Sequence, residues 1–295
     1  MPLAPLANAQ VVDGATLSLW EYVETDDQRP IDLEQLGQLV ARLHQITPAL
    51  LEDVVALPFC GDAQWLAVEH HLSLAEQTNV IDAAGLAALR RHCVALRGWK
   101  DRARQACSAV CHGDLHPQNV LMSGDQVVII DWDAICVGPP AWDHAALLPW
   151  AERWGGSPQW YADFARGYGA DLRASPLATE LATLRLLAAT LNKITGAASD
   201  PAYAAEARIR IRYWLGDPAA PTWTPALTER RRVGIAAIAV RQARVPQQAL
   251  ASQRLLYSSG PSLLRGDLFL PSPNEIRQDV VGQRTIRREA DRPLR

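Results

Sequence analysis

The sequence predicts an α+β protein, mainly helical, with a short β-hairpin at its start. Three observations predict it: an extended opening around Asp13-Gly14, apolar residues at helical spacing in five later stretches, and one strand-like run, QVVII, among them. The 295 residues are 48% hydrophobic, enough to bury the core of one large domain or two smaller ones.

The opening, AQVVDGATLSLWEYV, sets two β-rich runs around Asp13-Gly14, a dipeptide that favours a two-residue hairpin turn. Such a ribbon is unstable alone in water. From Ile31 the period changes. IDLEQLGQLVARLHQI puts Leu33, Leu36, Leu39, Val40 and Leu43 on one helical stripe, with Asp32 placed to cap it. Further helices are predicted over 82–106, 159–169, 177–195 (LATELATLRLLAATLNKIT) and 202–215 (AYAAEARIRIRYWL). Beyond YWLGDPAAPTWTPA the periodicity lapses, and residues 227–295 are expected to form a basic, poorly ordered tail that offers little apolar area to offset chain entropy.

Charge is uneven along the chain. From Thr228 onward there are thirteen Arg, no Lys and six acids, a balance of +7; with −3 overall, residues 1–227 carry −10, or 16 basic against 26 acidic residues. An acidic body disfavours nucleic acid and mildly favours a cationic ligand. No run of eighteen apolar residues occurs, and MPLAPLANAQ lacks the basic and apolar regions of a signal peptide, so a cytoplasmic protein without a membrane partner is expected. Cys60, Cys93, Cys107, Cys111 and Cys136 form an odd set without a CxxC pair; reduced, buried thiols are expected.

The chemistry is concentrated in HGDLHPQNVLMSGDQVVIIDWD, His112–Asp133. It is open to three readings: an active site, a metal cage of His112, Asp114 and His116, or a hairpin that is polar at both ends. No further histidine cluster closes a cage. A turn holding Asp114 is followed five residues later by Asn119, and VLM and VVII form a hairpin about Gly124-Asp125 that delivers Asp131 and Asp133. Strand alternation would put those two on one face, about 7 Å apart at Cα, with Trp132 turned away. Phosphoryl transfer needs such parts: a carboxylate for the attacking hydroxyl, and an amide oxygen with a carboxylate for the metal that bridges nucleotide phosphates.

An Asp followed five residues later by Asn, with a further Asp on the next hairpin, is the spacing of a kinase catalytic loop. HGDLHPQN followed by IDWD resembles the aminoglycoside phosphotransferase family, part of the wider protein-kinase-like and choline-kinase-like group. LGQLVARLHQI is similar to the family helix after the hinge, and VGPPAWDHA to its Gly-Pro segment with a structural Asp, here Asp143; the resemblance spans roughly residues 10–226. It implies ATP and Mg2+ as cofactors. Asp114 would orient or deprotonate the acceptor hydroxyl, and Asn119 with Asp131 would hold magnesium. Asp133 would contact a second metal or only backbone. His112 is expected to hold the loop through backbone bonds, His116 is left between loop support and substrate neighbour, and Asp143 is expected to be a buried anion or helix cap. LWEYV would be the hinge, with backbone groups of Glu21 and Val23 meeting adenine.

The pattern departs from the family before that hinge. A complete kinase fold needs a glycine-rich loop and a strand lysine paired with a helix glutamate. The first glycine here is Gly14, and the only lysines are Lys100 and Lys193. The expected layout is therefore a remnant amino-terminal lobe with hinge at 1–25, a helical catalytic lobe at 26–226 and the tail at 227–295. True truncation, a late start codon and conversion to an inactive kinase-like binding protein are the competing explanations, and uncovered lobe surface would promote self-association. The expected acceptor is a small polar or cationic molecule bearing a hydroxyl. Trp142, Trp150, Trp154 and Trp160 are expected in the core rather than at a substrate platform.

Overall fold

In the computed structural model, which describes residues 10–12, 15–17, 23–26, 29–51, 56–197 and 199–224, β1 (Gln10–Val12) pairs antiparallel with β2 (Ala15–Leu17), Val12 opposite Ala15. The Asp13-Gly14 pair and the tail from 227 lie outside the described residues. The chain divides into two units, with β1 and β2 in the first and every α-helix of the described residues in the second.

The second unit begins with α1 (Leu33–His44), where Asp32 accepts from the Gln35 amide at 2.9 Å, the cap read from the sequence. After α2 (Val68–Glu76), the helix expected over 82–106 is in fact two, α3 (Ala83–Ala95) and α4 (Trp99–Gln105), because the chain turns left-handed at Gly98. Next come β3 (Ala109–Cys111), then a hairpin of β4 (Val120–Ser123) and β5 (Gln126–Ile129), then β6 (Cys136–Gly138), which returns antiparallel to β3. The periodicity revealed only the β5 strand clearly. Each strand of the β3–β6 pair is three residues long, and β3 is buried throughout, so no alternation marks it.

The remaining helices are α5 (Ala141–Leu147), α6 (Trp150–Trp154), α7 (Gln159–Tyr168), α8 (Pro176–Gly196) and α9 (Pro201–Trp214). Ser175 and Asp200 cap the last two, each followed by a proline at the first turn. α5 escaped the sequence reading because all seven of its residues are buried, which leaves no polar face to define a stripe.

Two apolar clusters flank the loop that follows β3. One is built on α8, whose Leu181, Leu184, Leu187 and Leu191 are fully buried against α3 and α5; each contributes about 2 kcal/mol by removal from water. The other joins Leu36 and Val40 of α1, Val120 and Met122 of β4, Phe164 of α7 and Leu115 of the loop itself. α1 and α7 cross glycine to backbone: a Cβ on Gly37 would lie 2.1 Å from the Phe164 carbonyl oxygen, and one on Gly167 would lie 1.9 Å from that of Glu34. Trp142 is in the core at 1% exposure, whereas Trp160 lies at the surface at 36%. Among the described residues no helix is long and apolar enough to cross a membrane.

Candidate active site

The loop starts where β3 ends, and a buried carboxylate holds its backbone. Asp143 of α5 accepts from the amides of His112 at 2.8 Å and Gly113 at 3.0 Å, and its Oδ2 lies 3.1 Å from His44 Nε2 of α1. Burial alone would raise its pKa; the His44 hydrogen bond, the His44 charge and the Gly113 amide outweigh burial and hold the carboxyl below the usual range. Gly113 has φ +90°, and a Cβ there would lie 1.9 Å from the Ala134 carbonyl oxygen, so only glycine fits.

His112 is fully buried, with Nε2 2.9 Å from the Ile130 carbonyl and Nδ1 accepting from the Asp114 amide at 3.3 Å. Those partners require a neutral ring protonated at Nε2. His116 caps the turn Pro117–Asn119 by accepting from the Gln118 amide at Nδ1, and its ring stacks on Trp150 at 5.5 Å.

Asp114, Asn119 and Asp131 are brought together. Asn119, 2% exposed, donates from Nδ2 to the Asp114 carbonyl at 2.9 Å, and its own carbonyl accepts from the Ile130 amide, one residue before Asp131. Asp131 has φ +64°, the one positive value at a non-glycine among the described residues. Such a conformation is uncommon outside glycine and is tolerated best by Asp and Asn. The alternation expected for Asp131 and Asp133 does not apply. β5 ends at Ile129, Asp131 leaves it left-handed, and Asp133 lies in the 3-10 turn Trp132–Ala134. Both acids are exposed and remain electrically coupled. Partial desolvation, then the charges of Asp133 and Asp114, raise the Asp131 pKa.

Asp114 goes the opposite way. Partial desolvation would raise it, but His116, whose Nε2 lies 3.5 Å from Oδ2, and the Arg185 charge hold its carboxyl well below the usual range. Arg185 of α8 donates from Nη2 to Asp114 Oδ1 at 2.6 Å and from Nη1 to the Gly113 carbonyl at 3.0 Å, a carbonyl that also accepts from Trp142 Nε1 at 3.0 Å. Arg185 and His44 were not singled out from the sequence. A signal existed for Arg185, a lone charge inside the leucine-rich TLRLLAAT. None existed for His44, which sits at the end of an ordinary amphipathic helix. Of the expected hinge, Val23 is partly buried in the first unit and Glu21 lies outside the described residues.

The model of the phosphotransferase enzyme family, APH, matches residues 5–178. The chain belongs to that family. Solved structures give the APH chain its kinase-like fold. A choline/ethanolamine kinase family protein from Mesorhizobium loti is 19% identical, with TM-score 0.51 over 84% of this chain and 78% of its own. LicA, the choline kinase of Streptococcus pneumoniae, in complex with AMP is 20% identical, with TM-score 0.50 over 71% of this chain and 72% of its own. No curated protein matches the sequence. This APH member is thus an α+β protein of kinase-like fold and a phosphotransferase by family, with its acidic and amide groups gathered on the β3–β6 segment.

Proposed function

We propose that the protein transfers the γ-phosphoryl group of ATP to a hydroxyl of a small polar or cationic acceptor, with Asp114 as the residue that receives that hydroxyl. The observation that carries this reading is the junction of three groups: the Asn119 side chain bonded to the Asp114 backbone, and the Asp131 carboxyl raised in pKa partly by the Asp114 charge. The acceptor oxygen forms a bond to the γ-phosphorus as the bond to the β,γ-bridging oxygen breaks. ADP departs with that electron pair, and the hydroxyl proton leaves towards Asp114 and solvent. A carboxylate held ionised by Arg185 is a weak base, so Asp114 acts mainly by orienting the hydroxyl.

Mg2+ suits the donor set. Asn119 and Asp131 offer an amide and a carboxylate oxygen, the hard ligands this ion prefers, and the crowding of Asp114, Asp131 and Asp133 is relieved by a divalent cation. When bound, it would neutralise charge on the β- and γ-phosphates. Asp133 would supply a further carboxylate at the rim, His112 and Asp143 would fix the loop, and His116 would border the acceptor. The AMP complex of LicA supports a nucleotide as one substrate, and backbone groups of Glu21 and Val23 would receive its adenine. The acidic character of residues 1–227 supports a cationic acceptor.

A second reading, a kinase-like protein without turnover, is favoured by the lysines. Lys100 pairs with Asp62 at 2.6 Å and Lys193 lies 3.7 Å over the Tyr203 ring, so both are engaged elsewhere. Magnesium-dependent release of ADP from ATP that falls at least about 10²-fold in Asp114→Ala supports transfer. No ATP binding at millimolar concentration would sink it.

A further inference from the structure

Arg185 is placed where a charge is hard to accommodate. It sits mid-way along α8 with buried Leu184 and Leu186 beside it in sequence, and its own side chain is only 10% exposed. Its guanidinium lies 5.1 Å from the Trp65 ring and 5.3 Å from that of Trp142. Two indoles thus lie within cation–π range of the fork, and that attraction offsets part of its desolvation.

The two prongs do different work. The Gly113 carbonyl already accepts from Trp142 Nε1, so Arg185 is not required to satisfy it. The other prong holds Asp114 Oδ1 at 2.6 Å, while Oδ2 is 3.5 Å from His116 Nε2, too long for a strong bond. The Asp114 side chain is 42% exposed, so the pair has a buried cationic base and an open anionic face.

We propose that Arg185 is a positioning residue for phosphoryl transfer: it ties Oδ1 of Asp114 and locks the carboxylate plane, so that Oδ2 is the oxygen presented to the acceptor hydroxyl. This rests on the phosphotransfer reading above. A lysine cannot replace the fork, because a point charge on a flexible stem reaches one partner at a time and fixes no plane.

The test uses the full chain and release of ADP from Mg2+-ATP with water as the acceptor. Arg185→Met keeps an unbranched side chain beside the indoles without a charge, and it is expected to lower kcat about 10²-fold, the scale set by misplacement of a reacting group, while KM for ATP stays within about twofold. Arg185→Lys is expected about tenfold below wild type, since charge is kept and plane is lost. Added guanidinium ion at millimolar concentration is expected to restore part of the rate of Arg185→Ala and none of Asp114→Ala, a difference that a purely structural role does not produce. An Arg185→Met enzyme as fast as wild type, or a KM that rises in step with the loss of kcat, overturns the inference alone. Absence of turnover in wild type instead overturns the phosphotransfer reading, and this inference with it.

Discussion

Asp143 and His144 are neighbours on α5, both fully buried, and they respond to burial in opposite ways. Asp143 gains three donors and stays ionised. His144 has Nδ1 2.8 Å from the Tyr161 hydroxyl, no partner at Nε2, and its ring against Phe164 and Tyr168; burial first, then the His44 charge, lowers its pKa to about 4. The unfolded chain therefore takes up a proton below pH 6.5 that the folded chain refuses until about pH 4. Stability contributed by neutral His144 is present above pH 6.5 and is lost as pH falls through that window, by about 3 kcal/mol at most. His144→Phe is expected to flatten the dependence of the thermal midpoint on pH between 6.5 and 4, measured against wild type in the same buffers. Asp143 was legible in the sequence because AWDH follows a Gly-Pro segment, whereas nothing in a histidine's sequence neighbours tells whether its second nitrogen will find a partner.

At the scale of elements, the crossing of α1 and α7 has no slack. The methyl added by Gly167→Ala would meet the Glu34 carbonyl, which is backbone and cannot rotate away, so the helices must separate. A loss of about 3 kcal/mol is expected from such overpacking, read from the denaturant midpoint. Because α1 also carries His44, the same variant is expected to weaken phosphotransfer. Helices with one apolar stripe, α1 and α7 among them, could be read from spacing alone. α5 could not, since it is apolar and buried on all sides, nor could β3 and β6, whose pairing is decided by contacts some 27 residues apart. The Asp131 turn misled the period-two reading for a physical reason: the strand stops before the acid, and a left-handed residue resets the direction of the chain beyond it.

For the molecule as a whole, the kinase-like lobe was visible in one hairpin and its spacing, while the partners that hold that hairpin lie far along the chain. Nucleotide should act on the whole fold by mass action. Mg2+-ATP at about 100 times its Kd is expected to add about 2.7 kcal/mol, and hence to raise the thermal midpoint by roughly 5–10 °C. Asp131→Asn is expected to lose most of that shift while ATP without magnesium shifts neither protein. A flat response of wild type to Mg2+-ATP would favour the reading without turnover. The Arg185 fork has one more consequence, in the order of synthesis. Asp143 reaches the loop across 31 residues and Arg185 reaches Asp114 across 71. A nascent chain that ends before α8 holds every residue of the motif and lacks the clamp that shapes it. The catalytic loop therefore matures late, after its own codons are long past, and a peptide excised from it would carry the letters of the site without its geometry.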